Sequence, residues 1–167
     1  RKVVDFMLSK MKQYIDVIVP RGGKSLVKKV QDLSSIPIIG HLEGICHSYV
    51  DKDANPKIAK QVILNAKLRN TAICGATETV ILHEKIIKKF GLSILENLEK
   101  HGCKIIADNK IRKIYNGKIK KATRQDWSKE YLDPTVSVKS VKNLDEAILH
   151  INKYGTMHTD CIITQNK

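Results

Sequence analysis

The segment Ile73-Cys74-Gly75-Ala76-Thr77 contains the residues best suited to covalent chemistry in this chain. Cys74 is followed by small residues, which predict a short loop leading into an apolar strand. A thiol in such a loop faces the adjoining space with little side-chain bulk in the way. Because a cysteine thiolate attacks well near neutral pH, the pattern predicts a nucleophile for a carbonyl carbon.

The other three cysteines carry no such signal. Cys46, Cys103 and Cys161 each adjoin an apolar, strand-like run, where a lone thiol usually behaves as a small hydrophobic side chain. The chain has no CxxC pair and no Cys/His cluster with zinc spacing, so we predict no metal site. Disulfides are not expected in a cytoplasmic chain of this size.

Alternating strands and helices are predicted around Cys74. Residues 45–50 predict a strand, and Asn55-Pro56 supplies a side-chain cap and a first-turn proline for a helix that reaches Leu68. A helix with an interruption at Gly91 is predicted over 84–102. Further strands are predicted at 79–82, 104–107, 135–141 and 160–164, with a helix between the last two. This alternation is typical of a parallel sheet with crossover helices.

The first forty residues show the same rhythm. A helix is predicted from Val3 to about Gln13. The β-branched run 15–19 predicts a buried strand, and residues 36–39 predict a second short strand after another helix. One exception to the parallel pattern is expected further on. Asn116-Gly117 predicts a hairpin turn between short strands.

Bulk composition excludes several classes of protein. The chain has 167 residues, 42% hydrophobic and 28% charged, without an apolar run long enough to span a bilayer, so we expect a cytoplasmic protein with no membrane partner. Its net charge is +13, but the lysines are scattered, so we expect no specific nucleic-acid partner. A basic binding module remains an alternative on this charge alone.

The ordered motifs resemble one known family. They are Tyr14–Ser25, Gly40–His47, Tyr49–Ala54, Asn65-Ala66-Lys67, Ile73-Cys74-Gly75, Tyr131–Pro134, Leu144–Ala147 and His158-Thr159-Asp160. In this order they are similar to gamma-glutamyl phosphate reductases (glutamate-5-semialdehyde dehydrogenases), which are members of the aldehyde dehydrogenase superfamily. The resemblance extends over essentially all of the chain.

The resemblance implies a fold and a division of the chain. It implies a three-layer α/β architecture with a mainly parallel sheet and flanking helices. Residues 1–40 resemble the last strand-helix-strand portion of a coenzyme-binding domain. Residues 41–167 resemble an aldehyde dehydrogenase-like catalytic domain, incomplete at its C-terminus. A member of the family is more than twice as long, so we expect either a fragment or a truncated remnant, with homo-oligomerisation possible.

The resemblance also implies a reaction and a cofactor. Cys74 would attack L-glutamyl 5-phosphate, a small-molecule substrate, to expel phosphate and form a thioester. Hydride from NADPH would then give L-glutamate 5-semialdehyde, a step of proline biosynthesis. Backbone N–H groups around Cys74 would supply part of an oxyanion hole. The alternative is a catalytically inactive remnant that keeps the fold.

Further site residues follow from the matched segments. Glu43 occupies the position of a general base, although a carboxylate paired with backbone or with a neighbouring lysine is an equal alternative. Arg21, Gly22, Gly23 and Lys24 resemble the turn that approaches the cofactor. Glu130 resembles the glutamate that holds the nicotinamide ribose. The histidines of matched segments, His41, His47 and His158, are interpreted as structural.

Overall fold

The computed structural model describes residues 2–166, which form two compact units with their boundary between Glu43 and Gly44. None of the helices within the described residues is both long and apolar enough to traverse a lipid bilayer. Each unit has its own elements and its own buried side chains.

The first unit contains two helices and very little sheet. Helix α1 is Lys2–Lys10 and helix α2 is Lys24–Leu33. The predicted strands 15–19 and 36–39 are reduced to a single parallel bridge between Ile18 and Ile38. The unit is stabilised by a small group of buried side chains: Leu8, Val27, Val30 and Ile36.

The prediction that residues 15–19 form a buried strand is wrong for this unit. Val17 is 45% exposed, Val19 is 61% exposed, and Ile39 on the opposing segment is 65% exposed. Among the described residues of this unit, the two extended segments pair only with each other. Because an isolated pair of strands is marginally stable, only one bridge forms between them.

The second unit is built on one parallel sheet. Its strands are β1 (Cys46–Val50), β2 (Thr77–His83), β3 (Lys104–Ala107), β4 (Ile119–Lys121), β5 (Thr135–Val141) and β6 (Asp160–Ile163). Their order in space is β4-β3-β5-β2-β1-β6, and every pairing is parallel. The predicted α/β class is therefore confirmed.

Helices cover both faces of this sheet. They are α3 (Pro56–Leu68), α4 (Glu84–Ile86), a π-helical turn (Ile87–Gly91), α5 (Leu92–Lys100), α6 (Asn109–Arg112) and α7 (Leu144–Tyr154). A large apolar cluster joins α3 and α5 to one face. A smaller cluster joins Ala147 of α7 to Tyr49, Ile81 and Val141 on the other. Because both faces are covered, every residue of β1 and β2 is buried, including the polar ones.

The predicted helix boundaries follow from identifiable side chains. The Asn55 side chain accepts hydrogen bonds from the N–H groups of Lys57 and Ile58 at the start of α3. Asn143 accepts one from the Glu146 N–H at the start of α7. The interruption expected at Gly91 is confirmed as the π-helical turn that ends there.

The hairpin predicted at Asn116-Gly117 is wrong, because β3 and β4 run parallel and α6 crosses between them. A Cβ at Gly117 would overlap the Glu99 carboxylate and the Tyr115 ring. That carboxylate accepts hydrogen bonds from the Tyr115 hydroxyl (2.5 Å) and the Lys118 N–H (2.8 Å). Glycine is required here for close approach to Glu99 rather than for a tight turn.

Candidate active site around Cys74

Cys74 lies in the turn that connects α3 to β2, and its side chain is half-buried. The turn is closed by a hydrogen bond from the Ala76 N–H to the Ile73 carbonyl (3.0 Å), while Gly75 is exposed. The sulfur is therefore not enclosed by the apolar core. This placement is compatible with the nucleophilic role predicted for Cys74.

Gly44 packs directly against the backbone of Cys74. A Cβ at Gly44 would overlap the Cys74 carbonyl group, so no other residue fits without displacing the turn. The Cys46 thiol donates to the same carbonyl oxygen at 3.1 Å. The segment that leads into β1 thus supports the Cys74 turn from one side. Sequence reasoning missed Gly44, although it stands in the matched Leu42-Glu43-Gly44 motif.

Glu130 is connected to this support. Its Oε1 accepts a hydrogen bond from the Gly44 N–H at 2.8 Å. The structure therefore brings Glu130 and Cys74 to the same glycine, from loops that are distant in sequence. A carboxylate has two oxygens, so this bond leaves acceptor capacity for the ribose contact predicted from the resemblance.

His158 lies beside Cys74, a proximity that the sequence interpretation did not predict. A ring nitrogen of His158 and the Cys74 sulfur are within 4.8 Å of each other. His158 Nδ1 lies 2.8 Å from Thr159 Oγ1 and 3.6 Å from the Cys46 sulfur. The histidine is half-buried.

A signal for this proximity exists in the strand order. Cys46 begins β1, Cys74 precedes β2, and His158 precedes β6. These three strands are parallel neighbours in the order β2-β1-β6. Residues at the amino ends of adjacent parallel strands meet at one edge of the sheet, so the strand order brings these residues together.

A buried ion pair encloses the Cys74 turn. Lys67 near the end of α3 and Glu78 in β2 are joined at 2.6 Å, and their side chains are 0% and 1% exposed. The pair links the two ends of the segment 68–77, which contains the Cys74 turn. The signal for it was present, because Ala59, Ile63 and Lys67 recur every four residues and form one buried stripe.

Glu78 also connects the turn to the loop that carries Glu130. The Leu132 N–H donates to Glu78 Oε1 at 3.4 Å, and Leu132 has a positive φ of 54°. Burial raises the pKa of Glu78, while Lys67 and the N–H groups of Tyr131 and Leu132 oppose that increase. One carboxylate therefore fixes both loops.

The remaining predicted site residues lie in the first unit. Gly23 is the N-cap of α2, and Gly22 before it has a φ of +151°, which favours glycine. Arg21 and Lys24 are exposed. Lys24 forms an ion pair with Glu43, the residue predicted as a general base. The observed contact corresponds to the alternative in which this carboxylate pairs with a lysine.

The other thiols differ from Cys74 in their surroundings. Burial raises the pKa of Cys46 to about 11 and that of Cys103 to about 12. Cys161 is exposed on the edge strand β6, and its thiol donates to Ser48 Oγ at 3.2 Å. All four cysteines are free.

Known proteins were compared with the whole chain. No family model matches it. A gamma-glutamyl phosphate reductase of Bartonella quintana is 47% identical over 166 residues, which are 99% of this chain and 40% of that relative. The crystal structure of gamma-glutamyl phosphate reductase from Thermotoga maritima has a TM-score of 0.93 at 41% identity, covering 99% of this chain and 40% of that one. The resemblance to gamma-glutamyl phosphate reductase is confirmed.

This chain corresponds to only part of the reductases that it resembles. The chain spans about 40% of the length of the curated reductases it matches.

A structure of NADP-dependent glyceraldehyde-3-phosphate dehydrogenase from Bacillus halodurans, complexed with NADP, has a TM-score of 0.73 at 18% identity and covers 98% of this chain and 42% of that one. This more distant likeness shows that the aldehyde dehydrogenase-like fold is shared.

Alkylation with iodoacetamide at pH 8 should label the four cysteines at different rates. We expect Cys74 to react first, Cys161 second, and Cys46 and Cys103 last. With a pKa of about 11, only about one thousandth of Cys46 is thiolate at pH 8. Peptide mass spectrometry over time measures each rate. A faster reaction at Cys161 than at Cys74 would show that exposure alone governs labelling.

Gly44→Ala should destabilise the second unit because its new methyl group overlaps the Cys74 carbonyl. We expect a loss of about 1–3 kcal/mol in the free energy of unfolding. Gly75→Ala is the matched control, since a Cβ there meets no atom within 4 Å. Urea unfolding measures both variants. Equal losses would contradict the close packing of Gly44.

Lys67→Met should leave the Glu78 carboxylate buried without its partner. We expect a loss of about 3–5 kcal/mol at pH 8. The loss should be smaller at pH 5 than at pH 8. In the folded variant Glu78 keeps a proton at pH values where the unfolded chain has released it, so the free energy of unfolding of the variant falls as pH rises.

Lys110→Met is the control for this variant, since it removes an ion pair with Glu84 in which the lysine side chain is 53% exposed. Its effect should stay below about 1 kcal/mol. Urea unfolding at pH 5 and pH 8 distinguishes the two. If the loss of stability in Lys67→Met were the same at both pH values, the unpaired Glu78 carboxylate would not be its cause.

Proposed function

We propose that this chain is the cysteine-bearing portion of an NADPH-dependent reductase that converts L-glutamyl 5-phosphate to L-glutamate 5-semialdehyde and phosphate. The observation that carries the proposal is the half-exposed Cys74 in a turn enclosed by a buried ion pair. The similarity to gamma-glutamyl phosphate reductases supports the choice of substrate. Such an activity is a step of proline biosynthesis.

Cys74 carries the covalent step. Its thiolate attacks the acyl carbon, a C–S bond forms, and the C–O bond to phosphate breaks. A thioester is a suitable product because its carbonyl accepts hydride more readily than that of an ester. Gly75 has no side chain, so backbone N–H groups of the turn can approach the oxyanion. After reduction, the C–S bond breaks and the aldehyde is released.

NADPH, when bound, supplies the hydride for this reduction. Residues of the first unit have the backbone access and the positive charge that suit an anionic cofactor. Gly23 begins α2, and a Cβ there would meet no atom within 4 Å, so a phosphate can approach the backbone. Arg21 adds exposed positive charge, and a helix N-terminus favours anions. In the second unit, Glu130 is the acceptor proposed for a ribose hydroxyl.

Glu43 is assigned a supporting role. A reductase that releases an aldehyde has no water to activate, so this chemistry needs no general base at that position. The ion pair with Lys24 suits a residue that holds the lysine near the start of α2. In this proposal Glu43 orients a charge rather than moving a proton.

The proposal predicts that the full chain is acylated at Cys74 by glutamyl 5-phosphate generated in situ from glutamate and ATP by a kinase. We expect one glutamyl group per chain, one phosphate released per group, and removal of the label by hydroxylamine. Intact and peptide mass spectrometry locate the label. This half-reaction needs no NADPH, so it tests the thiol separately from the cofactor.

Two variants complete the test. Cys74→Ala should abolish acylation, and Cys161→Ala should leave it unchanged. An unlabelled wild-type chain, or a label at Cys161, would overturn the proposal. The first outcome would favour the alternative of a catalytically inactive protein that keeps the fold.

A further inference from the structure

We propose that His158 is a second catalytic residue, which accepts the proton of the Cys74 thiol and returns it to the leaving phosphate. The inference rests on the proposed function and adds a residue to its mechanism. It begins from the separation of at most 4.8 Å between a His158 ring nitrogen and the Cys74 sulfur. That separation permits transfer directly after a small closure, or through one water.

The segment that carries His158 is fastened on both sides of the histidine. Before it, Thr156 Oγ1 accepts a hydrogen bond from the Ile45 N–H at 3.0 Å. After it, Asp160 Oδ1 accepts one from the His47 N–H at 2.9 Å. Both bonds lead to the start of β1, which also supports the Cys74 turn. The two reacting side chains are therefore held by one common strand.

The ring of His158 has an orienting contact. Its Nδ1 lies 2.8 Å from Thr159 Oγ1, so the hydroxyl fixes one edge of the imidazole. Thr159 is therefore a positioning residue for the ring of His158.

Several other acid–base groups of the second unit make contacts of their own. Glu78 is buried against Lys67, and Asp160 accepts two hydrogen bonds from His47. Burial lowers the pKa of His47, so it resists protonation. Cys46 is buried with a raised pKa and donates its proton to the Cys74 carbonyl. His158 is half-buried, so it is accessible both to the thiol and to a bound substrate.

The proton and the electrons balance in this step. The His158 imidazole takes the proton of the Cys74 thiol, and the sulfur forms a bond to the acyl carbon. The C–O bond to phosphate breaks with its electron pair on oxygen, and His158 gives the proton to that oxygen. The products are a thioester, hydrogen phosphate and the neutral imidazole. No further oxidant or reductant is needed.

Within the second unit, His158 has titratable neighbours in the turn before β2, on β1 and on β6. Cys74 faces it from the turn before β2, Cys46 from β1, and Asp160 follows it on β6. Of these, Asp160 is bound to His47 and Cys46 remains protonated at neutral pH. Neither Asp160 nor Cys46 is therefore placed to take the proton of the Cys74 thiol.

The test measures Cys74 alkylation by iodoacetamide from pH 6 to pH 10 in the full chain and in His158→Asn. Asparagine keeps a polar group for Thr159 but cannot take a proton. We expect the variant to react about 10-fold more slowly at pH 7 and to approach the wild-type rate above pH 9. His101→Asn, which changes an exposed histidine on α5's C-terminal end, should leave the profile unchanged.

Superimposable profiles for the wild type and His158→Asn would overturn the proposal. Loss of folding in the variant would be recognised by rapid labelling of Cys103, which is buried in the native chain. In that case the thiolate absorbance near 240 nm, taken as wild type minus Cys74→Ala, decides the question without the histidine variant. We expect this absorbance to be present at pH 7; its appearance only in alkaline solution would reject the pair.

The acylation half-reaction separates this inference from the proposed function. His158→Asn should slow acylation of Cys74 by about 10²-fold, the size usual for a positioned acid–base group. Normal acylation in this variant would reject His158 and keep the function. No acylation in the wild type, with an activated thiol in the alkylation profile, would reject the function instead.

Discussion

The buried ion pair between Lys67 and Glu78 is the interaction on which the candidate site depends. Taking both charges out of water carries a large desolvation cost, and a hydrophobic pair of similar volume is often at least as stable. What the ion pair adds is geometric. It joins the end of α3 to β2 across the segment that contains Cys74, and through Glu78 it also fixes the loop that contains Glu130. Two loops are thereby positioned by one carboxylate.

The second constraint is the strand order. Because β1 lies between β2 and β6, its first residues contact both the Cys74 turn and the segment with His158. Gly44 and Cys46 contact the first, and Ile45 contacts the second. The thiol of Cys74, the imidazole of His158 and the carboxylate of Glu130 come from distant parts of the sequence. All three lie near the amino ends of the parallel strands.

Much of the second unit follows from local sequence patterns. The cap at Asn55, the cap at Asn143 and the break at Gly91 depend on residues within a few positions of each other, so they were predictable. The turn with Cys74 was likewise marked by its small neighbours. The parallel class of the sheet followed from the alternation of strands and helices.

Other features depend on contacts between distant residues. Asn116-Gly117 has the composition of a hairpin, and only the approach to Glu99 explains the glycine. The exposure of Val17 and Val19 depends on how few strands the first unit contains. The proximity of His158 to Cys74 required the strand order, which no local pattern specifies. Lys67 could have been recognised, since a lysine in a buried helical stripe demands a partner of opposite charge.

The pairing of β6 with β1 has a consequence for how the molecule reaches its native state. His47 and Asp160 are adjacent in the sheet but 113 positions apart in the chain. Closing so long a loop costs conformational entropy before any contact repays it, and contacts of this kind form late. The contact between His158 and Cys74 therefore forms only once β6 has paired with β1.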